Sequence, residues 1–355
     1  MITYKYITLS GNEQKDFEYI EFLRKFHGDN AITHYKRSLW YQGRGYLDLL
    51  VALEDGEYVG QSSAYKVQMH QDDSDIDWWW GVDTFVLPKM RGKGVGKTLQ
   101  KKLHEEHPNF SSLWYSGTNG IIKRKCGATT ICKVGFNFYP IKSFFSVLLR
   151  AGLSRFAHKD VTVPSILKHK YLFAYKSRCL NVSEISLETL LEDMDKDQGK
   201  CFSRFNFYVK RDHDYLAWKY GDNPSLNGYH IYSVSSINSS ETEGIIILTE
   251  PYIHNTLSVD LKVMTVLDIF VFNHKLKESD ILGAVVNNIN LQGIEGIISL
   301  GRHFKKFSIS FEKRTDRINL PFPFEGMELL SNYKGETSNI QPYFSYSDQD
   351  MEQMI

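Results

Sequence analysis

The chain has 355 residues, of which 42% are hydrophobic and 24% charged, so it can bury a sizeable core and is too apolar to be a disordered protein. Lysine plus arginine and aspartate plus glutamate both number 42, which leaves no global field to attract nucleic acid or an anionic membrane. No run approaches the ~18 apolar residues of a membrane span and the N-terminus has no apolar signal core, so we expect a cytoplasmic protein of two globular domains.

The four cysteines give no metal-binding pattern. They form no CxxC pair, and no histidine lies near them at the spacing of zinc ligands. We therefore expect reduced thiols and no metal at Cys126, Cys132, Cys179 and Cys201.

The N-terminal part predicts mixed α/β structure. In chain order we expect a strand, two helices and two strands, at Ile2 to Leu9, Phe17 to Phe26, around Tyr35 to Trp40, Tyr46 to Leu53 and Tyr58 to Lys66. The last two strands are joined by "EDGE", where Asp-Gly suits the positive φ of a tight hairpin.

An aromatic strand, "DWWWGVDTFVL", comes next, and its alternation puts Trp78 and Trp80 on one face, which we expect to be core. A glycine-rich loop and an amphipathic helix from about Val95 to His104 follow, with His104 and His107 expected at the surface. We then expect a strand at "SLWYSG", a short helix capped by Asn119, and two strands between residues 128 and 145.

The second half repeats this order weakly. A strand at Asn181 to Ile185 and a helix at Ser186 to Gln198 precede three strands, a helix at Ser279 to Asn290 and the strand "GIISLG". The repetition suggests two copies of one fold, with domains at 1–150 and 165–355 and a connection at 151–164.

The stretch "VLPKMRGKGVGK" (Val86 to Lys97) is suited to binding an anion, because glycines let successive backbone N–H groups converge and the next helix adds its positive end. The stretch differs by one residue from each of two nucleotide-binding patterns. The Walker spacing needs a glycine where Arg91 stands, and the dinucleotide spacing needs one at Lys97.

The pattern that fits is formed by Val86, Pro88, Arg91, Gly92, Gly94 and Gly96, and it resembles the central motif of the GNAT superfamily of acyl-CoA N-acyltransferases. The resemblance implies a mostly antiparallel twisted sheet flanked by helices, with a splayed central strand pair that holds pantetheine. It also implies acyl-CoA as co-substrate. "GTN" (Gly117 to Asn119) resembles the family's next strand-to-helix junction. The residues implied to bind acyl-CoA are Phe85, Val86, Leu87, Arg91, Gly92, Lys93, Gly94, Val95, Gly96, Lys97 and Asn119.

The second half lacks the loop. Its strand "VLDIFVF" runs into "NHKLKESD", which has no glycine and carries Glu278 and Asp280 where a phosphate needs donors. The whole plan resembles tandem-GNAT proteins in which one copy binds acyl-CoA and the other contributes to the acceptor site. "YLAWKYGDNP" and "YFSYSDQD" also resemble segments of such enzymes that modify nucleotide-linked sugars for bacterial surface polysaccharides.

Direct attack of an amine on a thioester needs a proton acceptor for the amine and a proton donor for the thiolate. Asp83, on the strand before the loop, is the candidate base; the competing interpretation is an aspartate that is solvated or paired with Arg91. The family often uses a tyrosine on the helix after "GTN", which "NGIIKRKCG" lacks. Tyr115, on the preceding strand, is the substitute, with a packing role as the alternative.

These features predict an N-acyltransferase that moves an acetyl or other short acyl group, such as a hydroxybutanoyl, to an amino sugar, with dTDP- or UDP-linked amino-deoxyhexoses as the expected acceptors. One alternative is Fem-like aminoacyl transfer from tRNA to a cell-wall precursor, which the intact loop in the first half and the zero net charge disfavour. Another is a non-catalytic acyl-CoA-binding protein. Fold alone does not separate them.

Overall fold

The structure is a computed structural model that describes residues 1–45, 47–113, 115–141, 180–221, 223–226, 228–239, 241–256, 259–302, 308–309, 318–319, 327–337 and 339–348. The described residues group into two compact units. The first comprises Met1–Lys133, Phe205–Ser225 and Met327–Tyr343, and the second comprises Val134–Arg204, Leu226–Gly326 and Phe344–Ile355. The predicted connection at 151–164 lies outside the described residues. The division of the chain into domains at 1–150 and 165–355 therefore stays a prediction.

The first unit contains five helices among its described residues. They are α1 (Phe17–His27), α2 (Ala31–Gly43), α3 (Val95–Glu106), α4 (Gly117–Lys125) and, from its inserted segment, α6 (His213–Tyr220). Its strands are β1 (Ile2–Ile7), β2 (Leu47–Glu54), β3 (Glu57–Gln71), β4 (Ser74–Val86), β5 (Phe110–Ser112), β8 (Phe207–Val209), β16 (Met327–Ser331) and β17 (Pro342–Tyr343). The strand β6 (Thr129–Pro140) begins in this unit and ends in the second.

The sheet of the first unit is antiparallel from β1 through β2 and β3 to β4, and β5 joins β4 in parallel. The predicted hairpin between β2 and β3 is confirmed, with Asp55 and Gly56 at φ 51° and 92°. Strand β2 is apolar on both faces, because Leu49 and Val51 pack with α1 and α2 while Leu50 and Ala52 pack with α3. Two hydrophobic layers therefore enclose the sheet.

The second unit repeats this order. Its helices are α5 (Leu187–Phe202) and α7 (Glu278–Asn288), and its strands are β7 (Leu180–Ile185), β9 (Tyr229–Ser236), β10 (Thr242–Thr249), β11 (Tyr252–Thr256), β12 (Val259–Val271), β13 (Gly296–Arg302), β14 (Ser308–Ile309) and β15 (Ile318–Asn319).

In the second unit β7, β9, β10 and β12 are antiparallel, β12 and β13 are parallel, and α7 connects that parallel pair. The register also shifts at the corresponding strand pair of each unit, at Gln61/Ser63 between β3 and β4 and at Ile247/Leu248 between β10 and β12. The predicted mixed α/β class and the repetition of one fold are confirmed.

Several local predictions were wrong. The strand predicted at "SLWYSG" lies earlier, at Phe110–Ser112, and β6 is one strand through residue 135 instead of two. Helix α4 begins at Gly117 because the Ser116 hydroxyl, not Asn119, caps it.

The two histidines predicted at the surface are buried, His104 at 9% exposure and His107 at 7%. They pack against aromatic rings, His104 on Phe110 and His107 on Trp79. Burial and the nearby charge of Lys123 lower the pKa of His104 to about 3, so it is a neutral packing residue at physiological pH.

Trp78 and Trp80 are both fully buried, as predicted from their shared face. The next residue, Gly81, lies against β5. A Cβ atom at Gly81 would be 2.6 Å from the Phe110 ring and 2.9 Å from Ser112 Oγ. Glycine is therefore required for the close approach of β5 to β4.

We expect Gly81→Ala to lower the free energy of unfolding by about 1–3 kcal/mol, because the added methyl group overpacks this contact. The measurement is the urea midpoint of the purified variant. Gly43→Ala is the matched control, since a Cβ at Gly43 meets nothing within 4 Å. Equal midpoints for the two variants would contradict the packing role of Gly81.

Candidate functional site

The central strands part soon after they meet. Among the described residues, β4 and β5 pair at Trp79 with Phe110 and at Trp80 with Ser111, whereas β4 continues to Val86. The register shift leaves Asp83 and Thr84 together opposite Ser62 of β3, and Asp83 has a positive φ of 48°. The predicted splay is confirmed, and it opens a gap along the C-terminal half of β4.

The glycine loop turns β4 into α3. Gly92 and Gly94 have φ of 80° and 83°, in the left-handed region that favours glycine. Gly94 is the N-cap of α3, and no side chain caps this helix end. By contrast α4 and α6 are capped by the side chains of Ser116 and Asp212. The first N–H groups of α3 are therefore available to an anion.

The gap, the loop and the start of α4 line one cleft of about 570 Å³. Nine of the predicted acyl-CoA residues line it: Phe85, Val86, Arg91, Gly92, Gly94, Val95, Gly96, Lys97 and Asn119. The segment "GTN" and the residue before it border the same cleft, since Ser116, Thr118 and Asn119 all line it.

Two predicted acyl-CoA residues, Leu87 and Lys93, are not among the lining residues. Leu87 is buried in the hydrophobic layer against α1, and its N–H donates to the Val59 carbonyl at 2.9 Å, so that N–H is already paired. The Lys93 ammonium lies 3.9 Å from a Glu54 carboxylate oxygen and 3.4 Å from the Met90 sulfur. The loop's charge on the cleft side comes from Arg91 and Lys97.

Asp83 is held by a buried partner on α2. Its carboxylate accepts a hydrogen bond from Arg37, and the two side chains are 11% and 3% exposed. Burial alone would raise the pKa of Asp83, but the charge and hydrogen bond of Arg37 outweigh it and hold that pKa below the usual range. A carboxylate so tightly ion-paired is a weak proton acceptor. The partner is Arg37 and not Arg91, whose Nε lies 3.3 Å from the Val86 carbonyl.

Tyr115 lies against the first turn of α4, where its ring fills the space that a side chain on Gly120 would need. Its hydroxyl is 3.5 Å from Glu328, which also binds Arg124 and Lys133. Burial, followed by the charge of Glu328, raises the pKa of Tyr115, which makes it a poorer proton donor. Tyr115 is not among the residues that line the cleft.

The sequence analysis missed a polar cluster behind the cleft, formed by Ser62, Thr84, Gln100 and Lys123. Burial lowers the pKa of Lys123 to about 7. The sequence around Gln100 and around Lys123 in "IIKRK" did not indicate that these side chains are buried, because polar residues at such positions are ordinarily solvated. Thr84 lines the cleft as well as joining this cluster.

Neither described helix of the second unit has an open start like that of α3. Helix α7 begins with Glu278 and Asp280 in its first turn, and the Asp280 carboxylate accepts the Lys277 N–H at 2.9 Å. A carboxylate of the chain thus interacts with the start of α7, a position that disfavours a phosphate. Binding of the donor by the first half stays a prediction.

Among the described residues, no group of three or more histidine, cysteine, aspartate or glutamate side chains is arranged to hold a metal ion. No helix in the described part of the chain has the length and apolar character needed to cross a membrane.

Residues 16–114 match the family model described as "Acetyltransferase (GNAT) family". No curated protein matches the chain. The matched segment contains the splayed strand, the glycine loop and α3, so sequence and geometry agree on the same residues. Residues 16–114 are thus similar to the acetyltransferases of the GNAT family, and the solved structures below share the fold.

Solved structures share the fold over most of the chain. A probable N-acyltransferase from Enterococcus faecalis has a TM-score of 0.55 at 11% identity, with 86% of this chain and 67% of that chain covered. A GCN5-related N-acetyltransferase from Kribbella flavida has 0.54 at 12%, covering 93% and 71%. The Saccharomyces cerevisiae N-myristoyltransferase with bound myristoyl-CoA has 0.55 at 10%, covering 95% and 84%.

We expect Asp83→Asn to lower the free energy of unfolding by about 3–5 kcal/mol near pH 7, because it removes the negative charge that neutralises the buried Arg37 guanidinium. The pKa of Asp83 in the folded protein lies below its unfolded value of about 3.9, so the pair's contribution is complete above that pH. It is lost as the pH falls through the folded value. The difference between the wild type and the variant, measured by urea unfolding, therefore shrinks below about pH 4.

Asp77→Asn is the matched control on the same strand. Asp77 is 51% exposed and pairs with Lys66 at 2.6 Å, so its removal should cost at most about 1 kcal/mol. Equal losses of unfolding free energy for the two variants at pH 7 would show that the buried Arg37–Asp83 pair contributes no more to stability than an exposed pair.

Proposed function

We propose that the chain transfers an acetyl or other short acyl group from acyl-CoA to the amine of an amino sugar, with a nucleotide-linked amino-deoxyhexose as the acceptor. The observation that carries the donor half is the uncapped start of α3, which opens on the 570 Å³ cleft between the parted strands. Such a helix end favours a dianionic group such as a pyrophosphate.

In this proposal the N–H groups of Val95 and Gly96 bind the pyrophosphate, and Arg91 and Lys97 add positive charge. Pantetheine runs along the unpaired edge of β4, past Val86 and Thr84, which line the cleft. The thioester then lies near the register shift, where polar backbone groups of β4 are free of β5. Asn119, whose N–H bonds the Ser116 hydroxyl, borders the opposite wall.

The state of Asp83 supports this acceptor class. Because its carboxylate is committed to Arg37 and its pKa is lowered, β4 offers only a weak proton acceptor at that position. A lysine amine, with a pKa of about 10.4, is almost wholly protonated at pH 7 and needs strong base assistance. A sugar amine is less basic because of its neighbouring oxygens. It is therefore the better match to this site.

The resemblance of "YLAWKYGDNP" and "YFSYSDQD" to enzymes of bacterial surface-sugar synthesis supports the same acceptor class. One described residue of each segment has a defined contact: the Trp218 ring stacks on Trp40 with ring centroids 4.2 Å apart, and the Ser347 hydroxyl donates to the Asp268 carboxylate.

A panel of acceptors tests the sugar assignment. With acetyl-CoA as donor, we expect acceptor-dependent release of free CoA with dTDP- and UDP-linked amino-deoxyhexoses, and little with a lysine peptide or spermidine. Thiol release is followed with a chromogenic disulfide. Turnover of the peptide or spermidine in preference to every sugar would remove the sugar from the proposal while leaving the acyltransferase.

A second candidate is a protein that binds acyl-CoA without turnover. It is favoured by one observation: both predicted catalytic side chains, Asp83 and Tyr115, are engaged with other residues. It predicts measurable CoA affinity and no CoA release on any acceptor.

We expect Gly94→Glu to abolish CoA binding, because the new carboxylate would stand at the N-cap of α3 and repel the pyrophosphate. Isothermal titration with CoA measures the loss, which should exceed about 100-fold, given that buried like charges cost several kcal/mol. The control is Gly56→Glu, which has the same left-handed strain at φ 92° but lies in the β2–β3 hairpin. CoA affinity that survives in the Gly94 variant would move the pyrophosphate elsewhere.

A further inference from the structure

Four buried side chains connect the interior to the cleft. The Lys123 ammonium on α4 donates to Gln100 Oε1 on α3 at 2.8 Å. Gln100 Nε2 lies 2.8 Å from both Ser62 Oγ and Thr84 Oγ1. The two hydroxyl oxygens are 2.7 Å apart. Ser62 and Gln100 are fully buried and Lys123 is 3% exposed, whereas Thr84 is half-buried and lines the cleft.

Lys123 fixes the direction of these hydrogen bonds. An ammonium only donates, so the oxygen of the Gln100 amide has to face Lys123, and the amide NH₂ has to face the two hydroxyls. Without Lys123 the amide could turn over and accept from the hydroxyls instead. A neutral lysine amine can accept as well as donate, so Lys123 fixes the orientation of the amide in its protonated form.

The hydroxyl protons can then be counted. Both hydroxyl oxygens accept from Gln100, and one hydroxyl donates to the other, so one hydroxyl proton is left over. If it belonged to Ser62, it would be a buried donor with no acceptor among the described residues, which costs about 1–3 kcal/mol. The favoured arrangement has Ser62 donating to Thr84. The spare proton is then on Thr84, which lines the cleft.

From this count we propose that the Thr84 hydroxyl donates a hydrogen bond to the thioester carbonyl oxygen of bound acyl-CoA. Thr84 lies at the register shift, where β4 has just left β5. Thr84 is then a catalytic residue, and Gln100 and Lys123 are positioning residues that act through it. The inference rests on the proposed function only in requiring that acyl-CoA occupies the cleft; it does not depend on the acceptor.

The Thr84 hydroxyl would donate its hydrogen bond to the oxygen on which negative charge develops during the reaction. When the amine nitrogen attacks, a nitrogen–carbon bond forms and the carbonyl π electrons move to oxygen. The oxygen's electron pair then re-forms the carbonyl as the carbon–sulfur bond breaks, CoA leaves as a thiolate with that bond's electron pair, and the amine's proton passes to solvent or to a base. A fixed donor at the carbonyl oxygen stabilises the intermediate more than the ground state. The chain Lys123–Gln100–Thr84 strengthens it, because aligned hydrogen bonds polarise one another.

The test compares Thr84→Val, which keeps the side-chain shape and removes the hydroxyl, with Thr84→Ser, which keeps the hydroxyl. We expect Thr84→Val to lower kcat by on the order of 10²-fold with the most active amine of the acceptor panel, the size of losing one oxyanion donor. The Kd for CoA should change less than about 2-fold, since free CoA lacks the thioester carbonyl group to which Thr84 donates. Thr84→Ser should retain most of the activity.

A spectroscopic readout separates this role from packing and needs no acceptor. The infrared carbonyl band of acetyl-CoA labelled with ¹³C at the thioester carbon is recorded on the wild type and the variants. A hydrogen bond lowers the carbonyl stretching frequency. We therefore expect the band to move to higher frequency in Thr84→Val, to move partly in Lys123→Met, and to stay in place in Thr84→Ser.

Ser62→Ala is the matched control within the cluster. It removes a buried hydroxyl and a hydrogen bond of the same network, but it leaves the Thr84 proton directed at the cleft, so the band and kcat should persist. An unchanged band and kcat in Thr84→Val would overturn the proposal, as would equal losses in Thr84→Val and Ser62→Ala. If the wild type bound no CoA at all, the proposed function would fail first, and titration shows this separately.

Discussion

The site depends on one constraint, the early parting of β4 from β5. Among the described residues, the parallel ladder comprises Trp79–Phe110 and Trp80–Ser111, and the register shift at Asp83 then bends β4. Had the two strands stayed paired, the polar edge of β4 would be satisfied within the sheet. In the proposed function, the amides of pantetheine pair with this edge of β4.

The second feature is an unsatisfied helix end placed beside this gap. Helix α3 begins at glycines in left-handed conformation and has no side-chain cap, so the positive end of its dipole faces the cleft. The corresponding helix of the second unit, α7, closes its own start with Asp280. The two units share strand order and even a register shift in the same strand pair. They differ in that the chain's own carboxylate interacts with the start of α7, whereas no side chain caps the start of α3.

Much of this was predictable from the sequence, because its causes are local. The loop glycines, the alternation of Trp78 and Trp80, the Asp-Gly hairpin and the order of strands and helices all follow from patterns within about 15 residues. The partners of the candidate catalytic residues were not predictable. Arg37 is 46 positions from Asp83, and Glu328 is 213 positions from Tyr115. Lys123 sits in a run of three cations that ordinarily indicates a solvated face, yet the fold buries the first of them.

These long-range pairs change what the chemistry can be. A carboxylate on β4 suggests general base catalysis only while it is free, and the buried pair with Arg37 removes most of its basicity. The work left to the site is positioning of the thioester and stabilisation of the oxyanion, for which the gap along β4 and the hydroxyl of Thr84 are suited. In the proposed function, such a site favours an acceptor amine of low basicity. The ion pair of Asp83 with Arg37 then links the proposed acceptor class to a side chain on α2.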